Sequence, residues 1–184
     1  DCLREMRTMG RLDLGSRDGK APGGYNYPLY ETGPPFIFMN AVGTTSDVIT
    51  MVHEGGHAVH SFLTHPLPIT GFKNFPSEVA ELASMSMELL TMEHWHLIYT
   101  DPEELRRAKR DQLERVLSIL PWVATVDAFQ HAIYTHPEWT IKERSKAWVE
   151  IHQRFGGDVV DWSGLDKVRA TLWHKQLHIF EGPF

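Results

Sequence analysis

Three absences narrow the class of protein that this 184-residue sequence encodes. It has a single cysteine, Cys2, so no disulfide can form within the chain, and a reducing compartment is favoured. It has no run of basic residues and a net charge of −6, which argues against a nucleic-acid-binding surface. It has no recognisable signal peptide and no uninterrupted apolar run long enough to span a membrane. We therefore expect a cytoplasmic protein without nucleic-acid or membrane partners.

The composition is that of an ordinary globular domain, with 42% hydrophobic and 23% charged residues. Residues 1–34 are rich in glycine and proline and are expected to be irregular. Phe36–Met39 has strand character, either as an edge strand that pairs with an extended peptide or as an ordinary core strand. Helical periodicity dominates from Ser46 onward. The sequence thus predicts a mainly α-helical domain with a small β-sheet near residues 35–40.

Capping residues mark the helix boundaries. The predicted helices begin at or near Ser46, Ser77, Asp101, Thr140 and Leu165. The second is expected to run to about Tyr99, and Pro121 is expected to break or kink the third. The chain begins at Asp1 rather than at a methionine, from which we expect a fragment or a processed product.

The segment Val52–His60 contains the pattern H-E-x-x-H within a helical run. Residues four apart lie on one helix face, so the imidazoles of His53 and His57 point the same way and can bind one metal ion. Glu54 is rotated by about 100° from His53, which places its carboxylate beside the metal. A carboxylate there can serve as general base toward a metal-activated water, as in zinc peptidases.

The two middle residues of this pattern, Gly55 and Gly56, are poor helix formers that each cost about 1 kcal/mol relative to alanine. Such a pair indicates that a neighbouring helix or a substrate backbone passes close by. His60 follows His57 by three residues, but the ligand face already carries two histidines. We interpret His60 as a packing residue or as one that orients a ligand.

A third ligand is expected from the helix that begins near Ser77. Glu78, Glu81 and Glu88 form an acidic stripe in a segment otherwise rich in Ala, Leu and Met. Carboxylates on a mostly apolar helix need a partner, and a metal ion is a suitable one. A solvated face is the alternative interpretation, and geometry alone also leaves Glu78 as a candidate ligand.

The residues H-E-G-G-H at 53–57, with E-L-A-S at 81–84, resemble the oligoendopeptidase F and thimet oligopeptidase family of zinc metallopeptidases. Residues 13–25 are similar to the family's pattern D-L-x-x-R-x-G-K-x-x-G-G-Y. Residues 35–44 are similar to its strand and turn before the metal helix, and residues 173–184 to the segment that leads into its tyrosines. The resemblance therefore covers almost the whole chain.

This resemblance implies that His53, His57 and Glu81 bind one zinc ion per chain and that Glu54 is the catalytic base. It further implies that Ser84 and Glu88 orient a ligand by hydrogen bonding, with ordinary packing as the alternative. A second catalytic residue, His178, is expected to face the substrate site, with a helix-capping role as its alternative. The substrate-binding residues expected from the resemblance are Gly23, Gly24, Tyr25, Phe38 and Asn40.

The same resemblance implies a helical, zincin-like catalytic domain of which residues 1–184 are a part. The family's N-terminal helices and its C-terminal tyrosines would lie outside this sequence, so the isolated chain is expected to be weakly active or inactive. The leading hypothesis is a zinc-dependent endopeptidase acting on short oligopeptides. The alternatives are a zinc-binding but catalytically silent peptide-binding or scaffold module, and a purely structural helical domain. The sequence leaves the oligomeric state open.

Overall fold

A three-stranded β-sheet occupies the N-terminal part of the protein. The structure, a computed structural model, describes residues 1–176 and 178–181, without the side chains of residues 178 and 181. The strands are β1 (Leu12–Gly15), β2 (Gly24–Leu29) and β3 (Gly33–Ala41). The strand order is β1-β3-β2, with β1 parallel and β2 antiparallel to β3. The small sheet expected near residues 35–40 is confirmed.

One expectation about this region is wrong, and one of two alternatives is excluded. Residues 1–34 are not irregular, because they contain β1, β2 and a short helix, α1 (Cys2–Thr8). Both strands are short, and their pairing partners lie further along the chain, so local sequence gives little sign of them. The segment Phe36–Met39 is not an edge strand either, because β3 is hydrogen-bonded on both sides. The free edges of the sheet belong to β1 and β2.

The remainder of the described chain is mainly helical, which confirms the predicted fold class. The helices are α2 (Thr45–Thr64), α3 (Ser77–Leu90), α4 (Pro102–Thr135), α5 (Ile141–Gly156), α6 (Asp166–Thr171) and α7 (His178–Glu181). Short 3-10 helices span Thr70–Lys73, Thr91–Leu97 and Leu172–Lys175. The last predicted helix, expected from about Leu165 to Leu177, is therefore divided into α6 and a 3-10 helix, and its last residue, Leu177, lies outside the described residues.

The N-terminus of α2 is fixed by a capping box centred on Thr44 rather than on Ser46. The Asp47 carboxylate accepts hydrogen bonds from the backbone N–H groups of Val42, Gly43 and Thr44, at 3.0, 2.7 and 2.7 Å. The hydrogen bond from Thr44 is the main cause of a lowered pKa for Asp47. The expectation placed the cap two residues too late, because either hydroxyl residue could satisfy the pattern.

Two helix boundaries also differ from expectation. Helix α3 ends at Leu90 rather than near Tyr99, and the following 3-10 helix buries Trp95 against Ile49 and Ala108. Of the two alternatives at Pro121, the break is wrong, because α4 continues through it, and the kink stays a prediction. The carbonyl that loses its helical partner belongs to Leu117, whose residue is 73% exposed, so solvent can satisfy it.

The chain divides into two compact units, residues 1–108 and residues 109 onward. In the first, Met6, Ile37, Met39 and Ala58 form a core between the sheet and α2. The two core residues on β3, Ile37 and Met39, are two positions apart, as expected for a strand with one face against a helix. In the second unit, the core is built on aromatic and aliphatic side chains from α4 to α7: Val126, Phe129, Trp148, Trp173 and Ile179.

Helix α4 is long and apolar enough to cross a membrane if only length and composition are considered. The sequence predicted no apolar run long enough to span a membrane, and α4 corrects this prediction as far as length and composition alone are concerned. Core helices of water-soluble proteins pass the same test, so a single helix of this kind is weak evidence for a membrane span.

The contact between α2 and α3 is unusually close at Gly56. A Cβ atom added there would lie 2.8 Å from Ser84 Cα and 3.1 Å from Met87 Cβ. Gly56 is itself buried, and Ser84 is 0% exposed. A neighbouring helix therefore explains one of the two glycines, as the sequence suggested. In the part of the chain that the structure describes, no atom of a neighbouring element lies within 4 Å of a Cβ added at Gly55, so the same constraint does not apply to it.

The two glycines provide a matched test of this contact. Gly56→Ala should destabilise the metal-free chain by about 1–3 kcal/mol, because the added methyl group must push α3 away. Gly55→Ala should be neutral or should stabilise by up to about 1 kcal/mol, because it only restores helix propensity. Urea denaturation followed by circular dichroism measures both. Equal effects of the two substitutions would contradict the assigned contact.

Candidate metal centre

Helix α2 places the two histidines of the H-E-x-x-H pattern on one face. The rings of His53 and His57 lie with centroids 4.9 Å apart and planes at 85°. Their side chains are 20% and 17% exposed, so both are mostly buried but reachable. This is the arrangement that the i, i+4 spacing predicts.

Helix α3 brings Glu81 to the same point. Glu81 Oε2 lies 3.2 Å from His53 Nε2, and Glu81 Oε1 lies 3.6 Å from His57 Nε2. One donor atom from each of the three residues lies within 4.8 Å of the others. Two imidazole nitrogens and one carboxylate oxygen at such separations suit a single divalent ion. Among the described residues, Glu78 is exposed and is not part of this group.

Two further side chains, those of Ser84 and Glu88, contact the proposed ligands. Glu88 Oε1 lies 2.7 Å from His53 Nδ1, the ring nitrogen that faces away from Glu81. Ser84 Oγ donates to the Glu81 backbone carbonyl at 3.1 Å and to its carboxylate at 3.4 Å. A carboxylate on the second nitrogen of a histidine fixes the orientation of the ring and leaves the first nitrogen for a metal. The contacts expected of Ser84 and Glu88 are therefore present, and their role stays a prediction.

The carboxylate of Glu54 is buried beside this group, and its residue is 6% exposed. Burial raises its pKa, the nearby His53 lowers it, and the nearby Glu81 raises it again, with a net upward shift. The backbone N–H of Asn26 on β2 hydrogen-bonds this carboxylate. The position beside the ligand pair and the raised pKa are both properties of a general base.

The charges around His53 change its proton affinity in the metal-free protein. Burial acts to lower the pKa of His53, but hydrogen bonds to Glu81 and Glu88 outweigh it and raise the pKa to about 10. The hydrogen bond from His53 is in turn the main cause of a lowered pKa for Glu81. Burial lowers the pKa of His57. In the absence of metal, a proton on His53 thus compensates the charge of the two carboxylates.

His60 takes no part in the three-donor group. Its ring stacks on Phe75, with centroids 3.9 Å apart and planes at 12°. Phe75 lies immediately before α3, so the stack connects α2 to the segment that leads into the Glu81 helix. This is the packing role that the sequence suggested as one alternative.

The expected substrate-binding residues gather at the sheet. Gly23, Gly24, Tyr25 and Phe38 line an open pocket of about 530 Å³. The rings of Tyr25 and Phe38 stack at 5.0 Å with planes 10° apart. The side chain of Asn40 instead donates to the backbone carbonyls of two residues in the β1–β2 loop. Contact with substrate stays a prediction for all five residues.

Sequence reasoning missed Asn26. Its backbone reaches Glu54, and its side-chain Nδ2 donates to Ser61 Oγ on α2 at 3.4 Å. No local pattern marks it, because the contact depends on how β2 pairs with β3. The side chain of His178, expected to face the substrate site, lies outside the described part of the structure.

A small sheet, a metal-binding helix with H-E-x-x-H and a second helix that supplies a carboxylate define a metallopeptidase-type centre. Comparison with known proteins gives the family. The model of peptidase family M3 matches residues 1–184, so the chain belongs to this family. The family resemblance seen in the sequence is confirmed.

Individual relatives agree with this assignment. The oligopeptidase PepF of Bacillus subtilis strain 168 is 25% identical over 97% of this chain and 27% of its own length. The structure of PZ peptidase A, solved with an inhibitor, matches at TM-score 0.86 and 33% identity over 99% of this chain and 32% of that one. An oligoendopeptidase F structure matches at TM-score 0.84 and 33% identity, covering 100% and 32%. The chain therefore spans about a third or less of these relatives.

We expect His53→Ala, His57→Ala and Glu81→Ala each to weaken zinc binding by at least about tenfold. Loss of a residue that only hydrogen-bonds a metal ligand already has an effect of about this size. Glu78→Ala is the matched control on the same helix and should bind zinc like the unmodified chain. Competition with a chromophoric chelator measures the affinities. Loss of zinc in the Glu78 variant, with retention in the Glu81 variant, would reverse the ligand assignment.

Zinc binding should also release a proton from His53, because only the neutral imidazole binds metal. With its pKa raised to about 10, His53 carries a nearly full proton at pH 7.5, whereas an ordinary histidine would carry only about a tenth of one. Calorimetry in buffers of different ionisation enthalpy counts the protons released. Glu88→Gln should lower the count when it is measured at about pH 9, close to this pKa, because it removes one of the three carboxylates that raise the pKa of His53.

Any proton lost from bound water contributes to both proteins and cancels in this comparison. Equal proton counts for the unmodified chain and the Glu88→Gln variant would show that Glu88 does not control the protonation of His53.

Proposed function

We propose that this chain carries the metal centre of a zinc-dependent endopeptidase that hydrolyses short peptides in the cytoplasm. The observation that carries the proposal is the meeting of His53, His57 and Glu81 with the buried carboxylate of Glu54 beside them. Membership of peptidase family M3 supports the reaction class. The names of the relatives, oligopeptidase and oligoendopeptidase, support short peptides as substrates.

The donor set fits zinc. Two histidine nitrogens and one carboxylate oxygen are the three protein ligands of many catalytic zinc sites, which keep a further position open. We propose that His53, His57 and Glu81 hold one such ion per chain. When bound, zinc supplies Lewis-acid polarisation of a peptide carbonyl and of the attacking water.

Glu54 would carry the proton transfers. As a carboxylate it accepts a proton from the attacking water, and it then returns that proton to the nitrogen of the leaving amine. Burial raises its pKa and so increases its affinity for the proton it must hold between the two steps. The hydrogen bond from the Asn26 backbone opposes this shift and fixes the direction of the carboxylate.

The free edge of β2 is the most suitable place for the substrate backbone. An extended peptide can add a strand to an exposed sheet edge through main-chain hydrogen bonds, which accept many sequences. Among the strands of the described residues, β2 pairs with β3 alone, and the backbone of Asn26 joins it to Glu54. β3, which the sequence suggested for this role, has no free edge. We therefore assign peptide binding to β2.

Glu54→Gln tests the proposal. The change keeps the size of the side chain but removes the base, so kcat should fall by at least about 100-fold while zinc affinity stays within about threefold, because Glu54 is no ligand. The measurement is hydrolysis of an internally quenched octapeptide by the zinc-loaded natural full-length protein. Glu78→Gln, an equivalent change at an exposed site on α3, is the control.

Three outcomes separate the hypotheses. Zinc binding with peptide cleavage that depends on Glu54 supports the endopeptidase. Zinc binding without cleavage in the unmodified full-length protein indicates a catalytically silent binding module. Absence of stoichiometric zinc would contradict both and leave a structural domain.

A further inference from the structure

Lys20 lies in the loop between β1 and β2, and its side chain is 1% exposed. Its ammonium donates to the Asp13 carboxylate at 2.9 Å and to the backbone carbonyls of Asp13 and Gly15 at 3.1 and 2.7 Å. It also lies 4.6 Å from the centroid of the Phe38 ring. Lysine is among the residues least often buried, because its charge must be paired and hydrogen-bonded to offset the loss of water. Here all three donors are used, which ties the loop to the end of β1.

Asn40 ties the same loop to β3. Its Nδ2 atom donates to the carbonyls of Lys20 and Ala21, each at 3.2 Å, and its backbone N–H donates to the carbonyl of Gly23 at 3.1 Å. An amide nitrogen has two hydrogens, so both are committed to this loop. The side chain of Lys20 and that of Asn40 thus hold consecutive parts of one loop from opposite sides.

This loop leads directly into β2. Gly24, the first residue of the strand, packs so closely on α2 that an added Cβ would lie 2.7 Å from Thr50 Cγ2 and 3.3 Å from the Phe38 carbonyl oxygen. Two residues further on, Asn26 bonds to Glu54 and Ser61. The Asn26 end of β2 is therefore fixed by α2 itself. The Gly24–Tyr25 end packs on Thr50 and pairs with β3, and the loop that Lys20 and Asn40 hold leads directly into it.

We propose that Lys20 is a positioning residue for peptide binding: its buried ammonium, together with the amide of Asn40, holds the Gly23–Tyr25 end of the β2 edge in the place where the substrate backbone pairs. The inference rests on the proposed function, since it concerns the strand that would bind the peptide. Lys20 touches neither the proposed metal ligands nor Glu54 in the contacts described. Its loss should therefore weaken substrate binding and leave the chemical step largely intact.

The first test is binding of a fluorescein-labelled octapeptide to the zinc-loaded full-length protein in the Glu54→Gln background, which prevents cleavage. Lys20→Met keeps the aliphatic stem against Phe38 and removes the three hydrogen bonds. The Kd for the peptide should rise by at least about tenfold. The free energy lost with one hydrogen bond to a charged group corresponds to a factor of about this size. In the catalytically intact protein, KM should rise by the same factor, with kcat within about threefold.

Arg17→Gln is the matched control. Arg17 also binds the Asp13 carboxylate, at 2.7 and 2.8 Å, but its side chain is 60% exposed and, among the described hydrogen bonds, donates to no backbone carbonyl. Its effect on Kd should be several times smaller than that of Lys20→Met. Asn40→Asp is the second variant, used if Lys20→Met does not fold. This change replaces the Nδ2 group, which donates to both loop carbonyls, by a carboxylate oxygen that those carbonyls repel. Asn40→Asp should therefore also weaken peptide binding.

Hydrogen exchange supplies a readout that does not depend on peptide or zinc. Backbone amides of residues 19–25 should exchange faster in Lys20→Met and in Asn40→Asp than in the unmodified protein and in Arg17→Gln. Unchanged exchange and unchanged Kd in the folded variants would overturn the inference. A decrease in kcat with unchanged KM would also overturn it. The proposed function fails on other grounds, namely absence of zinc binding or of Glu54-dependent cleavage in the unmodified protein.

Discussion

The close approach of α2 and α3 at Gly56 is the constraint on which the site depends. Because Gly56 has no side chain, the backbone of α3 at Ser84 can lie directly against α2. Glu81 is one helical turn before Ser84, and His53 and His57 flank Gly56 on α2. The same contact therefore brings the carboxylate within 3.2 and 3.6 Å of the two imidazoles. A larger residue at position 56 would push α3 away from α2. Glu81 would then lie further from the two histidines, although none of these three residues had been substituted.

A cluster of acidic side chains of this kind lowers the stability of the folded protein when no metal is bound. Three carboxylates, those of Glu54, Glu81 and Glu88, surround His53 in a partly buried space, and their mutual repulsion must be compensated. A proton on His53, with its pKa raised to about 10, provides that compensation. A divalent ion would provide it more fully, because it carries two charges. The site is thus stabilised in the folded chain and still poised to exchange a proton for a metal.

The sequence was sufficient for the parts of the site that depend on helical spacing. His53 and His57 on one face follow from residues four apart on one helix, and Glu54 beside them follows from its place next to His53. The contacts expected of Ser84 and Glu88 came from the family resemblance. Choosing Glu81 over Glu78 needed the family resemblance, because spacing within α3 allows both. The strands β1 and β2 and the contact of Asn26 with Glu54 could not be predicted. They depend on pairing across the sheet, where short segments carry weak local signals.

The sheet and the helices contribute differently to the proposed reaction. The proposed metal ligands are on helices, whereas the proposed peptide-binding edge belongs to a short strand that follows a glycine-rich loop. Such a strand has too few hydrogen bonds of its own to hold a substrate in register. In our proposal, Lys20, whose buried ammonium binds carbonyls of β1, and Asn40, whose amide binds loop carbonyls, supply the missing order. The backbone amide of Asn26 connects the same strand to Glu54, so one strand would set both the position of the peptide and the direction of the proposed base.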